Sequence, residues 1–391
     1  MFRSFTLEQS ARIAFGPGRI DRLGDDVSAL AGSGCRVLVI GDRGVERAGL
    51  VARARGALAK SGYRITEFTE LDGEPDVKAI DRAAGIGRKG GASLVVAVGG
   101  GSALDLGKLA AAAIPADRSA EAYALCAEPL PAGTLPIICV PTTAGTGSEV
   151  TRTSVLTDRE GRKVWAWGDA LCPRLALLDP ELTLGLPATL TAASGLDALV
   201  HAIEAASGRR CNPISDSQAL HAIRMIAGHL EAAVRDSGNR AARAAMQVGA
   251  CLAGLAIDSA GTGIAHALGH ALGSLARVPH GRAVALALRI ALPWNAAADP
   301  GRFHGIAEAM GLGRRVADAA LPEALGARFD ALLRAVGIDV SLAKDGMTGD
   351  DAERLVEVTM APENRPMLEN NARIVRASDA AALSRALLSA S

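Results

Sequence analysis

The stretch VVAVGGGSALDLGK, residues 95–108, passes from a continuous β-branched run through three glycines into a helical pattern. A strand that is apolar at successive positions has both faces covered, and parallel strands covered in that way need helical crossovers between them. The same alternation recurs outward from it. CRVLVIGD (35–42), YRITEFTEL (63–71), LPIICVPTT (135–143) and LALLDPEL (175–182) read as strands, with VERAGLVARARGALAKSG and PDVKAIDRAAGIGRKGG as helices between the first pairs. This predicts an α/β domain with a mostly parallel, Rossmann-like sheet. Residues 149–167, EVTRTSVLTDREGRKVWAW, alternate about a polar turn instead and predict a β-hairpin excursion.

Beyond residue 183 strand signals fade and Ala/Leu-rich helical periodicity takes over, so the expected division is 1–183 for the α/β domain and 184–391 for an all-helical domain. Pro187, Pro213, Pro293 and Pro322 are read as marking helix boundaries. A chain of 391 residues, 49% of them hydrophobic, is long enough for two cores. Lys plus Arg equals Asp plus Glu at 42 each, with no long run of like charge, which argues against nucleic acid or an anionic membrane as partner. The N-terminus lacks an apolar signal-like segment, and the six cysteines form no Cys-x-x-Cys pair. The expectation is a cytoplasmic protein whose cysteines serve as small buried hydrophobes.

Gly99, Gly100, Gly101 and Ser102 lie where a strand turns into a helix, a place suited to an anion. Neither familiar phosphate motif fits. Counting back from Gly107-Lys108 puts Ser102 at the first glycine of a Walker A motif, and Leu104 stands where the dinucleotide pattern needs its third glycine. PTTAGTGSE (141–149) follows the next strand and brings Thr142, Thr143 and Thr146 to a neighbouring strand end. Asp42, at another strand end, suits ribose hydroxyls and repels a 2′-phosphate, which favours NAD; Arg43 beside it leaves NADP open.

HALGHALGSLARVPHG (266–281) carries three of the seven histidines. His266 and His270 stand at i and i+4, as do Asp197 and His201 in LDALVHAIEAA, so each pair shares a helix face. Asp197, His201, His266 and His280, the last in the connection after Pro279, would make a mixed N/O site for Fe(II) or Zn(II). His270 is then left to relay a proton. His221 and His229 have no such partners.

GGGSALDLGK, PTTAGTGSEVT, DALVHAIEA and HALGHALGSLARVPHG occur in an order and spacing that resembles the iron-containing (group III) alcohol dehydrogenases, a family that includes lactaldehyde reductase and glycerol dehydrogenase. The resemblance extends to the C-terminal ENNAR. It implies an active site in the interdomain cleft, Gly99 to Ser102 on a pyrophosphate, Asp42 on the adenosine ribose, and Thr142 and Thr143 lining the nucleotide cleft. It also implies Lys163 near the cofactor, Asp197, His201, His266 and His280 as metal ligands, His270 beside the nicotinamide, and a homo-oligomer. Hydride transfer between a carbinol carbon and the nicotinamide would follow, with the metal polarising the substrate oxygen.

Ala271, where the family commonly has proline, and the absence of aromatics in SLARVPHG leave the substrate a small alcohol or aldehyde without closer definition. Arg152, Arg277 and Arg282 raise an acidic aldehyde as one option, against the plainer reading that they are solvated or paired with acids. Two rival functions are a lyase resembling dehydroquinate synthase, using the same cofactor and metal, and a non-catalytic nucleotide-binding protein.

Overall fold

The computed structural model describes residues 4–7, 11–116, 118–313 and 316–389. Among the described residues are eight strands: β1 (Arg12–Phe15), β2 (Arg36–Asp42), β3 (Arg64–Leu71), β4 (Leu94–Gly99), β5 (Ile137–Pro141), β6 (Thr153–Thr157), β7 (Lys163–Trp167) and β8 (Leu175–Leu178). Six of them form one parallel sheet in the order β1-β8-β5-β4-β2-β3, and β6 pairs with β7 as an antiparallel hairpin. The apolar runs of the strands are explained by burial on both faces. Leu38, Ile40, Val95 and Ala97 enter one core, while Val37, Val39, Val96 and Val98 enter the core on the other side.

Chain order reverses at β2, which pairs β3 on one side and β4 on the other. Such a switch point opens a crevice outside the carboxyl ends of the strands. Asp42 ends β2 and Gly99 ends β4, so the crevice is edged by two residues that the sequence singled out.

Contacts group Gln9–Thr143 with Gly147–Gly185 in one compact unit, and Leu186–Ser391 with Met1–Glu8 and Ala144–Thr146 in the other. Beyond Gly185 the described residues contain helices and no strand. No single helix among the described residues is long and apolar enough to cross a membrane.

Several local readings are revised. β1, with two large exposed side chains, Ile13 and Phe15, gives too short a signal to read, and its partner β8 is far away in sequence. The first long helix breaks at Gly49, which takes a left-handed conformation (φ 76°), into Arg43–Arg47 and Leu50–Lys60. Pro293 lies inside the helix His280–Ala296; it removes one donor, and the turn after it is still closed by Ala297 N–H donating to Pro293 O at 3.0 Å. His280 is the first residue of that helix, not part of the preceding connection. Of the six cysteines only Cys139 and Cys251 are buried, and Cys126 is exposed at the end of the 3-10 helix Ala120–Cys126, where its φ is 57°.

Candidate metal centre and nucleotide-binding edge

Three helices of the second unit carry the candidate ligands. Ala188–Ser207 is apolar nearly all round and buried along most of its length, so Asp197, His201 and Glu204, at i, i+4 and i+7, fall on one interior face. Arg302 donates to the Ser207 and Gly208 carbonyls at 2.8 and 3.2 Å, satisfying the end of that helix with a cation. Ile264–Ala276 presents His266 and His270, and His280 opens the next helix. Glycine permits the close approaches between these elements. A methyl added at Gly281 would meet the Ala193 carbonyl oxygen at 2.2 Å, and one at Gly269 would meet Val284 Cγ1 at 2.5 Å.

The result is a cluster centred on Asp197. Its Oδ1 lies 4.0 Å from His201 Nδ1, 3.9 Å from His266 Nε2 and 3.5 Å from His280 Nε2. The rings of His201 and His266 stack with centroids 4.5 Å apart, and His266 lies 5.7 Å from His280. Asp197 Oδ1, His201 Nδ1 and His266 Nε2 are buried without a hydrogen-bond partner, a costly state at roughly 1–3 kcal/mol per group. Three such atoms from a carboxylate and two imidazoles converge within 4.8 Å, which is the donor set and spacing that a divalent first-row ion would satisfy. Burial pulls the His201 pKa down to about 4, so the ring is neutral and its lone pair is available near neutral pH.

Glu204 supplies what the sequence reading missed. Its Oε2 accepts from His266 Nδ1 at 2.5 Å and its Oε1 from the Ala265 backbone N–H at 2.7 Å. With Nδ1 carrying the proton, Nε2 is the lone-pair nitrogen that faces Asp197. Its i+7 spacing from Asp197 marks the shared helix face, but nothing local marks the histidine that it meets. Glu204→Gln would present an amide to His266 and favour the opposite tautomer, putting a proton on the nitrogen that faces the cluster. The expected result is a roughly 10–100-fold loss of Zn(II) affinity, measured by competition with a chromophoric chelator.

His270 lies 5.5 Å from His280 and 6.3 Å from His266, ring to ring, and is partly exposed. It therefore stands beside the cluster with a route outward. His221 and His229 are both exposed, and His229 Nδ1 bonds only the Met225 carbonyl of its own helix, at 2.8 Å, among the contacts seen.

In the first unit, Gly100 precedes the helix Gly101–Ala113, whose first intrahelical bonds are made by Ala103 and Leu104 to the Gly100 carbonyl. The N–H groups of Gly101 and Ser102 thus come before the helical ladder, as an anion site requires. Gly99 has no room for a side chain, since a methyl there would meet Ala103 Cβ at 2.5 Å. Thr142 N–H donates to Gly99 O at 2.9 Å, and Thr143 packs beside Gly100. Asp42 Oδ1 accepts from Val45 N–H at 2.8 Å, capping the short helix Arg43–Arg47. Lys163, on β7, forms an ion pair with Glu74 at 2.6 Å, and Thr146 belongs to the helical unit instead of the α/β unit.

A buried polar network fixes the loop that follows Thr146. Lys108 Nζ, wholly buried, donates to Ser148 O at 3.0 Å, to Thr151 O and Oγ1 at 3.4 and 3.3 Å, and to Thr153 O, and it pairs with Asp105 at 3.1 Å. Asp105 accepts from Ser148 Oγ at 2.5 Å and from Val155 N–H at 3.1 Å. The lysine of the glycine-rich motif is therefore a structural tether, not a phosphate ligand. Glu149, in the same interior, has its pKa pushed up to about 7 by burial.

Residues 10–180 match the model of the iron-containing alcohol dehydrogenases, and residues 191–387 match that of the C-terminal part of the Fe-containing alcohol dehydrogenase family. The chain is 35% identical to long-chain-alcohol dehydrogenase 1 of Geobacillus thermodenitrificans, over 93% of this chain and 95% of that one. It is 35% identical to 1,3-propanediol dehydrogenase of Klebsiella pneumoniae, over 90% and 91%. A solved structure of sulfoacetaldehyde reductase from Bifidobacterium kashiwanohense in complex with NAD+ superposes with a TM-score of 0.90 at 32% identity, over 100% of both chains.

Proposed function

The chain belongs to the iron-containing alcohol dehydrogenase family and is an alcohol oxidoreductase, and from that premise we propose a metal- and NAD-dependent interconversion of a small alcohol and its aldehyde. The observation that carries this reading is the convergence of Asp197 Oδ1, His201 Nδ1 and His266 Nε2, buried and without hydrogen bonds. Asp197, His201, His266 and His280 would hold the ion, with iron(II) the preferred occupant and zinc(II) the alternative. When bound, the metal supplies Lewis-acid polarisation of a substrate oxygen and the nicotinamide takes up or gives the hydride.

The rest falls to side chains. Glu204 holds His266 in one tautomer and orientation. His270, partly exposed beside the cluster, carries the substrate proton to and from solvent. The Gly101 and Ser102 N–H groups meet the pyrophosphate; Gly99, Gly100, Thr142 and Thr143 keep the approach narrow, and Asp42 meets the ribose. Asp42 has one oxygen occupied by Val45 N–H, which leaves the other for a ribose hydroxyl and supports NAD over NADP. Thr146 and Lys163 complete the nucleotide edge in this proposal, Lys163 with its charge already balanced by Glu74.

A neutral substrate fits the arginines best. Arg152 pairs with Asp169 at 3.0 Å and its guanidinium lies 5.2 Å from the Trp167 ring centre. Arg282 reaches both oxygens of Asp345 and the Asp339 and Ser341 carbonyls at 2.5–3.0 Å. Only Arg277, exposed at a helix end, is left of the three to meet an anionic substrate. A cytoplasmic homo-oligomer belongs to the same proposal; the six free cysteines support a reducing compartment, and the oligomer rests on the family resemblance.

The test follows NADH and NADPH oxidation by metal-stripped protein reloaded with Fe(II) or Zn(II), against neutral and acidic small aldehydes. Metal-dependent turnover that prefers NADH and neutral aldehydes is expected. A best substrate bearing carboxylate or sulfonate would overturn the substrate assignment, and absence of turnover with every aldehyde would favour a lyase or a binding protein.

A further inference from the structure

The C-terminal ENNAR segment has no place in the chemistry above, yet its two asparagines are buried against the start of the ligand helix. The helix Ile264–Ala276 has no capping side chain of its own, because its N-cap is Gly263. Its first two N–H groups are satisfied from elsewhere. Ile264 N–H donates to Asn371 Oδ1 at 3.3 Å and Ala265 N–H to Glu204 Oε1 at 2.7 Å. Asn371 is held in turn by a reciprocal amide pair with Asn295, at 2.9 and 3.2 Å, and by donating to Arg373 O at 2.9 Å. Asn370 Nδ2 donates to the Ala260 and Thr262 carbonyls at 2.7 and 2.8 Å, fixing the turn that leads into the helix.

We propose that Asn371, with Asn370 behind it, is a positioning residue for His266: a cap supplied from 107 residues away sets where the ligand helix begins and so where the His266 ring points. His266 is the third residue of that helix, and its other nitrogen is held by the same Glu204 that receives Ala265 N–H. A shift at the helix start therefore moves the ring and its orienting carboxylate together. Gly263 belongs to this device, since a methyl there would meet Glu204 Oε1 at 2.9 Å and Asn371 Oδ1 at 3.1 Å. The inference rests on the metal-centre reading above.

The test measures Zn(II) affinity by chelator competition, and the Co(II) absorption spectrum, for wild type, Asn371→Ala and Gly263→Ala. The glycine variant deletes no polar group and displaces both acceptors, so it serves if Asn371→Ala does not fold. Asn364→Ala is the control: Asn364 is about as buried, and its side chain donates to Val358 O at 2.8 Å, outside the candidate ligand helix. Expected are a roughly tenfold loss of Zn(II) affinity and an altered Co(II) spectrum in Asn371→Ala and Gly263→Ala, with Asn364→Ala losing thermal stability alone. Wild-type affinity and spectrum in both test variants, or an equal loss in the control, would overturn the proposal while leaving the metal centre standing. A wild type that takes up neither metal would overturn the metal reading and this inference with it.

Discussion

Asp197→Asn is expected to lower metal-dependent turnover by about a thousandfold and to leave the protein unable to retain its ion through gel filtration. Asp197 is the one carboxylate among the four proposed ligands, and its Oδ1 is the atom from which all three imidazole distances, 3.5 to 4.0 Å, are drawn. An amide of the same shape keeps the packing and removes the negative charge. Lewis-acid catalysis is worth several kcal/mol, and each 1.4 kcal/mol is about tenfold in rate, so losing it amounts to roughly three orders of magnitude. Metal content by atomic absorption and NADH oxidation on the same sample check it; a variant with stoichiometric metal and less than a tenfold defect would contradict the assignment.

The second large effect concerns stability. Lys108→Met should weaken the α/β unit by about 3–5 kcal/mol, the usual range when one member of a buried ion pair is removed and its partner is left behind. Methionine fills the space of the side chain but abandons the Ser148, Thr151 and Thr153 oxygens and the Asp105 carboxylate. Denaturant unfolding should show a lower midpoint with an unchanged slope. The pH dependence gives a separate readout. Glu149 has a folded-state pKa of about 7, above its ordinary 4.5, so the stability tied to its protonated form is full below 4.5 and is lost as pH rises through 7. Lys108 pulls that pKa down, and without it the decline should continue beyond pH 7. Unfolding curves of the variant that run parallel to wild type across this range would mean the two groups do not communicate.

How far these features could be read in advance depends on the range of the interactions. The sheet was legible because strands covered on both faces write their burial into consecutive residues, as in Val95 to Val98. The clustering of Asp197, His201 and His266 was legible because Asp197 with His201, and His266 with His270, repeat at the helical period. Local patterns could not reveal β1, whose four residues acquire a partner only at β8. Nor could they reveal the role of Glu204: an i+7 glutamate on an apolar face gives no sign of the histidine, 62 positions later, that it will meet. The role of Lys108 was hidden for a related reason: the spacing argued against a Walker A lysine, and only the return of the chain at Ser148 to Thr153 shows what its ammonium holds.

The borrowed cap on the His266 helix also has a consequence in time. A nascent chain emerges N-terminal end first, and the early domain can fold while the remainder is still being made. Asn371 follows Ile264, whose N–H it accepts, by 107 residues, so the helix Ile264–Ala276 is synthesised well before the side chain that caps it. Until Asn371 has been made, the candidate ligand His266 stands on a helix whose first N–H still lacks its side-chain partner.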